Sequence, residues 1–118
     1  MFKSLYIIAI VSLLGLSGIA EARDMRLIVF ETDECSYCDL FHRDVAQSYA
    51  ESWPGRVAPL ERQNVTADQS VALQLKQPIT TVPTFVLVDG NNELVRITGY
   101  PGRQNFFQVI TGLLQELR

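Results

Sequence analysis

Along the chain the apolar positions switch between unbroken runs and a period near four, and each switch marks an element. Leu27-Ile28-Val29-Phe30 is an unbroken run, the pattern of a central strand covered on both faces, and it predicts a strand over 26–31. Cys38, Phe41, Val45 and Tyr49 then recur at helical spacing. They predict a helix over 35–50 that ends before Trp53-Pro54-Gly55, where proline and glycine punctuate. Residues 57–63 read as a second strand, with Pro59 confining it to an edge or to the strand's start. Thr66-Ala67-Asp68-Gln69 has the form of a capping box. It opens a helix carrying Val71, Ala72 and Leu75 on one face and running to about Lys76, where Gln77-Pro78 stops it. Thr84-Phe85-Val86-Leu87-Val88 is a third strand, Asp89-Gly90-Asn91-Asn92 a turn, and 93–98 a fourth strand returning antiparallel. After Gly99-Tyr100-Pro101-Gly102, the spacing of Phe106, Ile110, Leu113, Leu114 and Leu117 predicts a final helix over 103–117. The order βαβαββα is an α/β fold: a four-stranded mixed sheet with helices on both faces.

The first 22 residues fall outside this pattern. A basic start at Lys3, an uncharged apolar and small-residue run from Leu5 to Ala20, and the small-x-small triplet Ala20-Glu21-Ala22 have the layout of a secretory signal peptide cleaved after Ala22. The run is 16 residues, short of the roughly 20 that span a bilayer; an uncleaved N-terminal anchor is the alternative. No cysteine follows the run directly, which excludes a lipid-modified N-terminus at that point. The expected domain, 23–118, is long enough for one modest core. The expected location is the periplasm or another exported compartment. The net charge of −3 comes without a basic cluster able to hold nucleic acid by counterion release, so protein or small-molecule partners are expected.

Cys35 and Cys38 are the only cysteines, and they sit where the first strand hands over to the first helix. A helix N-terminus carries unpaired backbone N–H groups and a partial positive charge, both of which stabilise a thiolate. Export raises the alternative of a purely structural disulfide. A bridge over an i, i+3 pair closes a tiny loop, however, and stabilisation from loop closure grows with loop length. Two thiolates also suit copper(I), which keeps a metal chaperone open as a different class of function. Against it, Asp33 stands where such chaperones carry methionine. A mononuclear zinc site needs further ligands and His42 is the only histidine; a covalent haem site needs histidine where Asp39 stands. Read as a redox-active disulfide, the pair needs no metal and no cofactor.

With these elements in order, the chain resembles the thioredoxin superfamily in its short form, from about Arg26 to Leu117. Three stretches carry the resemblance: Cys35-Ser36-Tyr37-Cys38 at the strand-to-helix turn, Thr81-Val82-Pro83-Thr84 before an apolar strand, and Gly99-Tyr100 after the hairpin. The run from Pro83 to Val88 with Arg96-Ile97-Thr98-Gly99-Tyr100-Pro101-Gly102 is most similar to small exported thioredoxin-like proteins, some of them associated with bacterial sulfur-oxidation systems. The resemblance implies a thiol–disulfide oxidoreductase in which Cys35 attacks and Cys38 resolves. It implies a cis bond at Pro83, backbone pairing of Val82 with the substrate peptide, and contacts from Ser36, Tyr37 and Gly99. The implied partners are protein thiols and disulfides, with a membrane-embedded or thioredoxin-like electron donor, and the implied state is a monomer. A non-catalytic interaction domain of the same fold is the remaining alternative, against which the intact cysteine pair argues.

The sequence departs from thioredoxin in ways that matter chemically. Glu34 replaces the usual aromatic residue before the first cysteine, and Ser36-Tyr37 replaces Gly-Pro. Val29 stands where thioredoxins bury an aspartate, which leaves Glu31 as the nearest strand carboxylate able to accept a proton from Cys38. Asp33, Glu34 and Asp39 oppose a Cys35 thiolate by like-charge repulsion. A less stabilised thiolate makes a more reducing couple, so the reading leans toward a reductase. His42, one turn beyond Cys38, reads as a partly exposed helix residue, with thiolate stabilisation as its functional alternative. Tyr100 reads equally as core or as a partner contact.

Overall fold

Strand β1 (Met25–Glu31) buries every side chain except that of Arg26, on both faces of the sheet, and the fold is laid down around it. In the computed structural model, which describes residues 23–66 and 73–117, β1 pairs in parallel with β2 (Leu60–Asn64). On its other side it pairs antiparallel with β3 (Thr84–Asp89). Strand β4 (Asn92–Thr98) returns antiparallel to β3, giving a four-stranded mixed sheet of order β2-β1-β3-β4. The leader expected over 1–22 lies outside the described residues. Among the described residues no helix is long and apolar enough to cross a membrane.

The sheet has two apolar faces. On one, Leu27 and Val29 of β1 lie opposite Leu87 and Phe85 of β3. The helical layer covers them with Phe41, Val45, Tyr49, Phe106, Ile110 and Leu114, all buried. This layer is a rod made of α1 (Ser36–Phe41), a π-helical stretch (His42–Ala46) and α2 (Gln47–Tyr49), lying beside α4 (Arg103–Leu117). Phe106 is its centre, with ring centroids 4.9 Å from Phe85 and 5.3 Å from Phe41. The opposite face, Ile28, Phe30, Val86 and Val88, is covered by Val65, Leu73, Leu75 and Ile79.

Three local expectations change in the folded chain. Trp53-Pro54-Gly55 ends the rod as expected, yet it forms a helical turn of its own, α3 (Trp53–Val57). Ser52 caps it by accepting the Gly55 N–H, and proline costs nothing in a first turn whose amides have no partner. The second strand consequently starts at Leu60 and not at 57; Pro59 lies just before it and its carbonyl accepts the Leu27 amide at 2.9 Å. The capping-box helix falls mostly on 67–72, outside the described residues, and its expected end at Lys76 is not helical. Gln74 instead forms a parallel bridge to Asn92: its amide donates to the Asn91 carbonyl at 2.7 Å, and its carbonyl accepts the Glu93 amide at 3.1 Å. An open sheet edge offers those backbone groups partners that a helix end does not.

The pairing of β3 with β4 slips between Leu87 and Val88. An extra residue in one strand reverses the alternation of faces beyond it. Glu93 and Arg96, three apart and otherwise on opposite faces, therefore meet: Arg96 Nη2 lies 2.6 Å from Glu93 Oε1 and Nε 2.8 Å from Oε2. The Lys76 amide donates to the same carboxylate at 3.0 Å, and Arg96 also donates to the carbonyls of Gln77 and Pro78. The run into the 79–83 loop is thereby pinned to the β4 edge.

Two outcomes follow from this packing. A Cβ on Gly55 would stand 1.8 Å from the Tyr49 carbonyl oxygen, so Gly55→Ala is expected to cost at least about 1–3 kcal/mol in urea unfolding. Arg96's hydrogen bonds above all, then the Lys76 amide and both charges, hold the Glu93 carboxyl below its ordinary range against the opposing effect of burial. The unfolded chain then binds the extra proton, so this contribution is complete above the ordinary value of 4.5 and is lost as pH falls below it. Glu93→Gln should lower stability at neutral pH by about 1–3 kcal/mol and flatten that acid limb, read by denaturant unfolding across pH.

Candidate active site

The first amides of α1 need acceptors, and a cysteine sulfur supplies one. Cys35 is the N-cap residue in extended conformation, and its Sγ accepts the Cys38 N–H at 3.2 Å. Ser, Thr, Asp or Asn oxygens ordinarily take this place. Its carbonyl accepts the Asp39 amide at 3.0 Å, which closes the first turn. Cys35 and Cys38 form a disulfide with their Cα atoms 5.2 Å apart. Cys38 is 2% exposed beneath the helix and Cys35 9% exposed, so both are buried and Cys35 is the more accessible residue of the two. Asp33, Glu34, Ser36, Tyr37 and Asp39 are all exposed around it.

On a groove shared with Tyr37 of the cysteine loop, the Val82–Pro83 bond is cis. Gly99 donates its amide to the Pro83 carbonyl at 2.8 Å, and at φ +83° it adopts a conformation that a side chain disfavours. A groove of about 330 Å³ is lined by Tyr37, Thr81, Val82, Pro83, Gly99 and Tyr100. Four of the expected contact residues, Tyr37, Val82, Pro83 and Gly99, thus come together; Ser36 is exposed but does not line the groove. Thr81 joins them, a residue whose only sequence signal is its place ahead of Val82-Pro83.

Tyr100 is both core and groove. Its ring packs edge-on to Phe41 at 5.7 Å while its hydroxyl donates to Asp44 Oδ2 at 3.1 Å. Burial first, then Asp44, pushes its phenol up to about 12, so it lines the groove as a neutral donor. Tyr37, 61% exposed, is the apolar surface that stands free.

Beneath the helix, Glu31 is buried on the face it shares with Leu27 and Val29, and does not point to solvent. Its Oε2 meets His42 Nε2, and its Oε1 meets Arg62 Nε of β2 at 2.6 Å. His42 is therefore turned to the strand carboxylate. Arg62 was not legible as part of this group, because nothing in a polar edge strand says which neighbour its side chain reaches. Among the described residues, no group of three or more His, Cys, Asp and Glu side chains is arranged to hold a metal ion.

Comparison with known proteins agrees with this geometry. The chain matches the family described as Thioredoxin-like domain over residues 16–113. The periplasmic thioredoxin SoxS from Paracoccus pantotrophus, solved in its reduced form, is 34% identical, with a TM-score of 0.76 over 80% of this chain and 100% of that one. Thioredoxin of Fasciola hepatica, 20% identical, superposes with a TM-score of 0.57 over 74% of this chain and 78% of that one. Thioredoxin-2 of the malaria parasite, a component of its protein secretion machinery, is 16% identical with a TM-score of 0.59, covering 76% of this chain and 84% of that one. These two share the fold. No curated protein sequence matched the chain. Family and cysteine chemistry coincide: the chain belongs to the thioredoxin-like family and is a thiol–disulfide oxidoreductase.

Proposed function

We propose that the protein is an exported reductase of disulfides or mixed disulfides in partner proteins, with residues 1–22 as a leader removed after Ala22. The observation that carries the reading is the placement of Cys35 at the N-cap of α1, holding the Cys38 amide, next to the groove between Tyr37 and the Pro83 loop. In the reduced protein the same amide and the helix end favour a Cys35 thiolate. That thiolate attacks a substrate sulfur and expels the other as a thiol, leaving a mixed disulfide. Cys38 then attacks the Cys35 sulfur, releases the second substrate thiol and regenerates the Cys35–Cys38 bond. Two electrons pass from the protein to the substrate.

The groove suits an extended peptide, with Val82 offering its backbone and Tyr37, Pro83, Gly99 and Tyr100 the walls. The reducing direction is supported by Asp33, Glu34 and Asp39, exposed around the cysteine turn, which work against the thiolate. Likeness to a periplasmic thioredoxin supports export. The electron donor in this reading is a membrane-embedded or thioredoxin-like dithiol, and the working state a monomer.

The reduction potential of the pair in a glutathione or dithiothreitol series tests the direction: a value at or below about −230 mV is expected, and one between about −120 and −180 mV would make the protein an oxidant or isomerase. Cys38→Ser should trap partner proteins as mixed disulfides on Cys35, visible on non-reducing gels, and Cys35→Ser should trap none; the reverse pattern would exchange the two roles.

A further inference from the structure

The exchange chemistry above leaves one question open, where the proton of the buried Cys38 thiol goes, and the structure assigns an answer to residues outside the cysteine loop. On the helix-facing side of β1, Leu27 and Val29 are followed by Glu31, a carboxylate in a position where alternation calls for another apolar residue. Burying a charge costs free energy even when it is paired, and an apolar group of similar volume is commonly as stable or more so. Glu31 is nevertheless satisfied from two sides, by His42 Nε2 and by Arg62 Nε at 2.6 Å. His42 in turn belongs to the turn directly above Cys38: its backbone N–H donates to the Cys38 carbonyl, which puts the two side chains on one face of the rod.

We propose that His42, held through Nε2 by Glu31, is the proton acceptor for Cys38, with Glu31 and Arg62 as positioning residues. The proposal rests on the reductase chemistry given above and adds the group that serves its second step. When Nε2–H is donated to the Glu31 carboxylate, the neutral imidazole carries its lone pair on Nδ1. In the resolving step the Cys38 thiol proton moves to His42 Nδ1 and the Cys38 thiolate attacks the Cys35 sulfur. The Cys35–substrate S–S bond breaks, its electron pair leaves on the substrate sulfur, and that sulfur takes a proton from water. The imidazolium beside the Glu31 carboxylate then gives its proton back to solvent.

A route for that proton exists. A groove of about 500 Å³ opens beside His42, lined also by Gln47, Tyr49, Gly55, Leu60 and Arg62. The charged or titratable groups around the imidazole are Glu31 of β1, which meets it directly, Arg62 of β2 and Tyr49 of α2, which line the same groove, and Cys38, one turn back on its own helix. Tyr49 takes no part, since burial raises its phenol and its hydroxyl donates to the Ala58 carbonyl at 2.8 Å. Phe41 holds the ring from the core side, with centroids 5.3 Å apart.

The test is stopped-flow reaction of the full reduced protein with an aromatic disulfide, dithiobis(nitrobenzoate), across pH. The first thiolate released reports attack by Cys35 and the second reports resolution by Cys38. His42→Ala and Glu31→Gln should each lower the ratio of second-phase to first-phase rate by about tenfold or more. They should also move the pH profile of the second phase toward the range of an unassisted thiol, about 8.5. Imidazole added to His42→Ala should restore the second phase, which a packing defect would not allow. Glu31→Gln keeps shape and an acceptor and serves as the readout if His42→Ala does not fold. A second phase that keeps its rate and pH profile, or that slows without a pH shift or rescue, overturns the proposal. Release of fewer than two thiolates by the unsubstituted reduced protein overturns the reductase reading itself, and this proposal with it.

Discussion

A helix cannot satisfy its own first amides, and the structure turns on how this one does so. Cys35 places its sulfur where a serine or aspartate oxygen ordinarily sits and accepts the Cys38 N–H. One contact thus ties together the cap of α1, the spacing of the two cysteines and the electrostatics of the attacking atom. It works because β1 is rigid and buried on both faces, so the turn after Glu31 is delivered to a fixed place. The aromatic cluster of Phe41, Phe85 and Phe106 holds the helix down on that strand.

Two charged groups, one at each side of the site, do the remaining positioning. Glu93 and Arg96 gather the carbonyls of Gln77 and Pro78 and the amide of Lys76, so the chain enters the Val82–Pro83 loop from a held position. Glu31, with His42 and Arg62, sits on the other side, under the rod. The π-helical stretch begins at His42, and such widened turns frequently mark functional positions in helices. Both groups are carboxylates with an arginine on one oxygen or across both, the geometry in which a partly buried charge is tolerable.

A good part of this was legible in the residues. The runs 27–30 and 84–88 named the two central strands, and the period of Phe106, Ile110 and Leu114 named α4, because those patterns depend only on which side chains must leave water. The cysteine spacing with Val82-Pro83 and Gly99 named the chemistry and most of the groove. Local rules failed where a competing local interaction was available: Ser52 capped a turn across Trp53-Pro54-Gly55, and Gln74 took sheet-edge partners in place of a helix end.

The sequence by itself determined the elements, the identity of the redox pair and the acidic rim around it, since periodicity, capping and charge are properties of neighbours along the chain. Only the tertiary structure decided which distant side chains meet. Glu31 finds Arg62 because β1 and β2 pair in one register and not the next, and Glu93 finds Arg96 because a one-residue slip in β4 reverses its faces. Register is set by the whole buried sheet at once, and for that reason no window of the sequence contains it.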